Sequence, residues 1–139
     1  MLSLPITALY GSLLAIILVV LTVYVIRQRL TLKVGLGDGG QPALMQATRA
    51  HGNFVEFTPF MLALLAIFEL NGGSALWLYP LGAIIVLGRI FHAIAIIQST
   101  KPSLYRMLGM NGTFIPIITL AVLNLLGFLK INLLGSYTW

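Results

Sequence analysis

The chain has 139 residues, of which 59% are hydrophobic, 8% are charged and none is cysteine. A soluble domain carries roughly 25% charged residues, and a chain this short cannot hide so much apolar surface in its own core, so lipid must be part of its solvent. The missing cysteines exclude disulfides and a protein-borne catalytic thiol, and the net charge of +5 comes without the interleaved basic and aromatic stripe that nucleic-acid binding needs.

Ile6 to Ile26 is the first element, a charge-free run long enough for a helix to cross the hydrocarbon layer, which takes about 20 apolar residues. It is read as a permanent span rather than a cleavable signal, because no basic segment precedes it and no small-residue cleavage site follows. The run stops at Arg27-Gln28-Arg29, which belongs in water or among headgroups. The connector Gly35-Leu36-Gly37-Asp38-Gly39-Gly40 is glycine-rich, but no Gly-Lys-Ser/Thr follows, so it reads as a flexible link and not a phosphate loop.

The second span is predicted from about Asn53 to Leu70, with its helix starting near Pro42, where a missing N–H costs nothing. Asn71-Gly72-Gly73 ends it. A third span follows from about Ala75 to Ile97, and a fourth from about Phe114 to Leu129, with its helix starting near Pro102. The runs lack a period of two, and lipid leaves only helices for open chains, so the fold class is all-α: an integral membrane four-helix bundle forming a single domain over residues 1–139. Lys and Arg concentrate in the first and third connectors, which places these in the cytoplasm and both termini outside. Trp77, Tyr79, Tyr137 and Trp139 then fit an outer aromatic belt and Tyr24 an inner one. Two prolines, Pro59 and Pro116, fall inside spans and read as packing kinks. Gly11, Gly82 and Gly88 read as points of close helix approach.

Ionisable residues in a membrane helix are costly and are candidates for function. In Arg49-Ala50-His51-Gly52-Asn53-Phe54-Val55-Glu56, residues Arg49, Asn53 and Glu56 recur at i, i+4 and i+7, on one helical face, with Gln46 a turn earlier. In Gly88-Arg89-Ile90-Phe91-His92, Arg89 and His92 are a turn apart, at a depth comparable to Asn53 and Glu56, so an Arg89–Glu56 contact is feasible, within a subunit or across an interface. The plainer reading is that these groups are interhelical glue. Glu69, beside Asn71 at the outer interface, reads as a solvated residue. No metal site is predicted.

The string Arg49-Ala50-His51-x-Asn53-x-x-Glu56-x-x-Pro59-Phe60 resembles the second-helix signature of the membrane-associated proteins in eicosanoid and glutathione metabolism, the MAPEG family. Gly88-Arg89-x-x-His92 resembles the third-helix segment of its prostaglandin synthase branch. The resemblance implies a homotrimer of four-helix subunits in the inner membrane if the source is bacterial. It implies glutathione as a co-substrate, lying between subunits near the cytoplasmic face. It further implies that Arg49, Asn53, Glu56, Arg89 and His92 bind the tripeptide, with Arg27 or Arg29 near its carboxylates, and that Arg106 stabilises the thiolate. Phe57 stands where relatives often carry Tyr, and Ile96 stands where a tyrosine usually contacts glutathione.

The activity so implied is transfer of glutathione to a hydrophobic small molecule, or reduction of a lipid hydroperoxide. A non-catalytic membrane scaffold of the same family is the alternative. A proton-coupled exporter using Glu56 is a third reading, disfavoured because such four-helix proteins usually carry their carboxylate in the first span, which here has none.

Overall fold

The computed structural model describes residues 3–133, with side chains described through Lys130. It contains four helices: α1 (Pro5–Leu32), α2 (Pro42–Leu70), α3 (Ala75–Gln98) and α4 (Leu104–Leu133). Each is long and apolar enough to cross a membrane. Tyr137 and Trp139, assigned to the outer aromatic belt, lie outside the described residues.

The helix ends follow local chemistry. Pro5 and Pro42 open α1 and α2, where an N–H would be orphaned in any case. Ser74 caps α3 by accepting from the Leu76 N–H at 3.3 Å, and Ser103 does the same for Arg106 in α4 at 3.2 Å. Lys33 ends α1 in the left-handed conformation, at φ 55°. The first helix does not stop at Arg27-Gln28-Arg29 but runs through it to Leu32. The edge of the hydrocarbon limits the apolar run, whereas the backbone ladder continues into water without penalty. A third interior proline, Pro80 in the second turn of α3, joins Pro59 and Pro116; it lies inside the predicted third span, and the sequence reading of two interior prolines overlooks it.

Helices α2 and α3 form the centre. Each touches the other, α1 and α4, while α1 and α4 do not meet. The core runs between them through Leu14, Phe54, Met61, Leu65, Leu81, Ile85 and Leu120. Outward faces stay apolar: Ile16, Val19, Val20 and Val23 on α1, and Ile115, Ile118, Val122 and Leu125 on α4, are all exposed. Such faces are stable only against lipid or another subunit.

Two of the three glycines expected at close approaches are found there. A Cβ on Gly82 would fall 2.1 Å from the Tyr10 ring, and one on Gly88 would fall 2.8 Å from the Gly112 backbone. Gly11 has no such constraint: a Cβ there would sit 3.9 Å from Leu62, an ordinary contact.

Glu69 is not merely solvated. Its two carboxylate oxygens accept from the backbone N–H groups of Ile6 at 2.9 Å and Thr7 at 2.7 Å. It therefore caps the first turn of α1 from the last turn of α2, placing a negative charge on the positive end of a helix.

Candidate functional site

The seam between α3 and α4 is where charge is taken deepest. Gly88 of α3 meets Gly112 of α4, and a Cβ on Gly109 would fall 2.6 Å from the His92 Cα. Backbones this close can only be built from glycine at these positions. Their approach brings the α4 backbone within reach of Arg89, which is 2% exposed.

The Arg89 guanidinium ties three helices together. Its Nη1 donates to Asn53 Oδ1 of α2 at 3.0 Å. Its Nη2 donates to the Gly109 carbonyl of α4 at 3.4 Å and to the Thr113 hydroxyl. The Phe57 ring lies below it, with Cζ 5.8 Å from the ring centroid, a cation–π distance. Phe57 is braced in turn by an edge-on contact with Phe114 at 6.3 Å. No carboxylate neutralises the charge among the described residues. Asn53, Thr113 and a carbonyl supply only partial charges, and Nε has no hydrogen-bond partner among the described residues. A buried cation held by dipoles and leaving a donor unused is the arrangement expected where a further anion is to be received.

That group borders a cleft of about 380 Å³ lined by Arg49, Asn53, Phe57, Arg89, His92 and Arg106, with Gln46, Ile96 and Met110 among its other walls. The cleft opens at the end of the bundle that carries the first and third connectors. His92 is 7% exposed and makes no hydrogen bond among the described residues. Arg106 lies in the first turn of α4, half-buried, with only a long 3.5 Å contact from its Nη1 to the Thr100 carbonyl. A cation at a helix N-terminus is placed against the dipole, and an anion nearby offsets that cost.

The chain has three acidic residues, and all three are accounted for elsewhere. Asp38 accepts from Gly40 N–H at 3.0 Å in the first connector. Glu69 caps α1. Glu56 is exposed on α2 and does not line the cleft. The charged groups of the cleft are therefore all cationic, set among apolar walls that include Phe57, Ile96, Met110 and Phe114.

Five of the residues singled out from sequence meet at this cleft: Arg49, Asn53, Arg89, His92 and Arg106. The Arg89–Glu56 contact expected from their similar depth does not form within the chain. At about 100° per residue, Asn53 and Phe57 turn toward α3, while Arg49 and Glu56 turn toward the outer edge of the same stripe. Arg27 is exposed and outside the cleft. Arg29 spends Nη1 on the carbonyl of Gly37 at 2.9 Å, with longer contacts to Gly35 and Val34, and so shapes the first connector. His51, within the same α2 string, pairs with the Thr22 hydroxyl of α1 at 3.1 Å.

Sequence reasoning did not single out Thr113 or the glycines of α4. The signal was present: Gly109-x-x-Gly112-Thr113 places small residues at a seam spacing, but nothing local links it to Arg89.

Residues 7–126 match the MAPEG family. The inner membrane protein YecN of Escherichia coli K12 is 31% identical over 120 residues, covering 86% of this chain and 90% of that protein, and YecN from strain O6:H1 matches to the same extent.

Proposed function

From the premise that this chain belongs to the MAPEG family, we propose that it is a glutathione-dependent membrane transferase or peroxidase acting on a hydrophobic electrophile. The observation that carries the reading is the cleft: Arg49, Arg89 and Arg106 converge with Asn53 and His92, and no carboxylate lines it. Glutathione offers two carboxylates and a thiol, so a cationic, amide-bearing cleft matches its charge. A volume of about 380 Å³ lies within the usual range for small-molecule sites, about 300–1,000 Å³.

In this reading Arg49 and Arg89 hold the carboxylates, and Asn53 and His92 orient the peptide. Arg106, half-buried and held by a single long contact to the Thr100 carbonyl, stabilises the thiolate. A free thiol has a pKa near 8.5 and is only slightly ionised at neutral pH, so an adjacent fixed cation raises the nucleophile's concentration. The thiolate sulfur attacks the electrophilic carbon, a C–S bond forms, and the leaving group departs with its electron pair. With a hydroperoxide, two glutathiones become one disulfide while the hydroperoxide gives an alcohol and water. Met110 and Phe114, lining the cleft yet 43% and 45% exposed, offer a path from the acyl chains for an apolar substrate.

A homotrimer belongs to the same proposal. Glu56 is exposed within a span, a position too costly against lipid. A neighbouring copy set on this face would shield it and offer a partner for the ligand's ammonium. In the same proposal the cleft faces the cytoplasm and both termini lie outside, a reading supported by the Lys and Arg of the first and third connectors.

Ile96 favours the second reading, a non-catalytic scaffold. An aliphatic wall stands in the cleft where relatives of the family carry a phenol, removing one polar contact. Thermal unfolding of the purified protein in detergent with increasing glutathione separates the two. Binding predicts stabilisation of about 2.7 kcal/mol at a hundred times Kd. A transition unmoved by millimolar glutathione leaves the scaffold.

A further inference from the structure

We infer that Thr113, in the wall of the cleft, is a positioning residue for this site: with its hydroxyl committed to Gly109 and Arg89, it acts on the ligand by aiming the Arg89 guanidinium at the ligand's carboxylate. The inference rests on the glutathione reading above.

Thr113 is buried, at 3% exposed, one residue after Gly112. Its Oγ1 donates to the Gly109 carbonyl one turn back at 2.9 Å. That bond consumes the hydroxyl's single proton, so what remains for Arg89 is a lone pair. A threonine fixed in this way can only be an acceptor, and the donor that faces it is Arg89 Nη2. The same Nη2 reaches the Gly109 carbonyl at 3.4 Å. One edge of the guanidinium is thus clamped to α4 through two oxygens a turn apart.

The opposite edge is held by Asn53 Oδ1 at 3.0 Å from α2. A planar group tied at two edges by oxygens on different helices, over the Phe57 ring, has little freedom to rotate. Arg89 is the sole cleft cation clamped in this way. Arg106 has one long contact, and no hydrogen bond from the Arg49 side chain is formed among the described residues. Preorganisation of this kind raises affinity by removing the cost of ordering a long side chain on binding. The clamp depends on backbone contact at Gly88–Gly112 and Gly109–His92, which no other residue type allows. Valine at position 113 keeps nearly the shape and loses the acceptor.

The test is a double-mutant cycle on Kd for glutathione, by calorimetry on the purified full chain, with Thr113→Val, Arg89→Lys and the pair, and Thr113→Ser as the conservative variant. Losing one partner of a charged donor weakens binding about ten- to hundredfold. Thr113→Val is expected to do so while kcat at saturating glutathione and its pH profile stay unchanged, since Arg106 is untouched. Thr113→Ser restores binding. In the Arg89→Lys background, Thr113→Val adds nothing, because the group it acts through is gone. A merely structural threonine would give additive losses there, and that result overturns the inference, as does wild-type affinity in Thr113→Val. If Thr113→Val does not fold, Thr113→Ala takes its place in the cycle, and the same loss of binding and the same non-additivity with Arg89→Lys are required, additive losses overturning the inference. Wild-type protein that binds no glutathione defeats the reading of the site itself, and this inference with it.

Discussion

The two ends of the bundle handle a charge in opposite ways. At one end Glu69 meets backbone donors with both carboxylate oxygens, the N–H groups of Ile6 and Thr7. At the other, Arg89 is buried among dipoles with an unpartnered Nε and a cleft beside it. Both are ionisable groups in membrane-capable helices, and a rule that flags every such residue treats them alike. What separates them is remaining capacity. Glu69 is spent on a helix end and has a structural role, whereas Arg89 retains donors and faces space that a ligand can fill.

Three substitutions and one matched control test that contrast. The largest effect is expected at the open end. Arg106→Ala should lower the rate of glutathione conjugation by about 10²-fold, the usual loss when one preorganised donor to a developing or resident anion is removed. The assay is conjugation of a model apolar electrophile by protein in detergent or liposomes. Retention of full activity would remove Arg106 from the chemistry and weaken the view that open capacity marks function.

Gly88→Ala comes next. Its Cβ would meet Gly112 backbone at 2.8 Å, and backbone cannot swing aside as a side chain does. Overpacking of this sort costs about 1–3 kcal/mol, and here it also parts α3 from α4 and loosens the Arg89 clamp. Both the unfolding temperature and glutathione affinity should fall. Gly11→Ala is the matched control: it meets only Leu62 at 3.9 Å and should be neutral or slightly stabilising, as alanine is the better helix former.

The smallest effect belongs to the closed end. Glu69→Ala should cost about 1 kcal/mol through loss of the α1 cap and leave glutathione affinity untouched. Thermal unfolding and calorimetry on the same sample read both quantities. A large fall in affinity would show that the two ends are coupled and that the division drawn between them is wrong.

The amino-acid sequence by itself determined the solvent, the number of helices and most of their limits. These depend on local properties: the length of apolar runs, proline at helix starts, serine caps and the glycine-rich connectors. It also determined that Arg49, Asn53 and Glu56 share one face of α2 and that Arg89 and His92 lie a turn apart on α3, because periodicity within one helix fixes which side chains share a face. Tertiary structure decided the partners. Arg89 is bound to Asn53 and Thr113 and not to Glu56, and Glu69 caps a helix 62 or 63 residues away. The physical reason is that hydrogen bonds act over about 3 Å, while depth in a span is known from sequence only to within a turn and the rotation of one helix against another not at all. Glycines at the α3–α4 seam set that rotation and spacing, and with them which charge was satisfied and which was left to face the cleft.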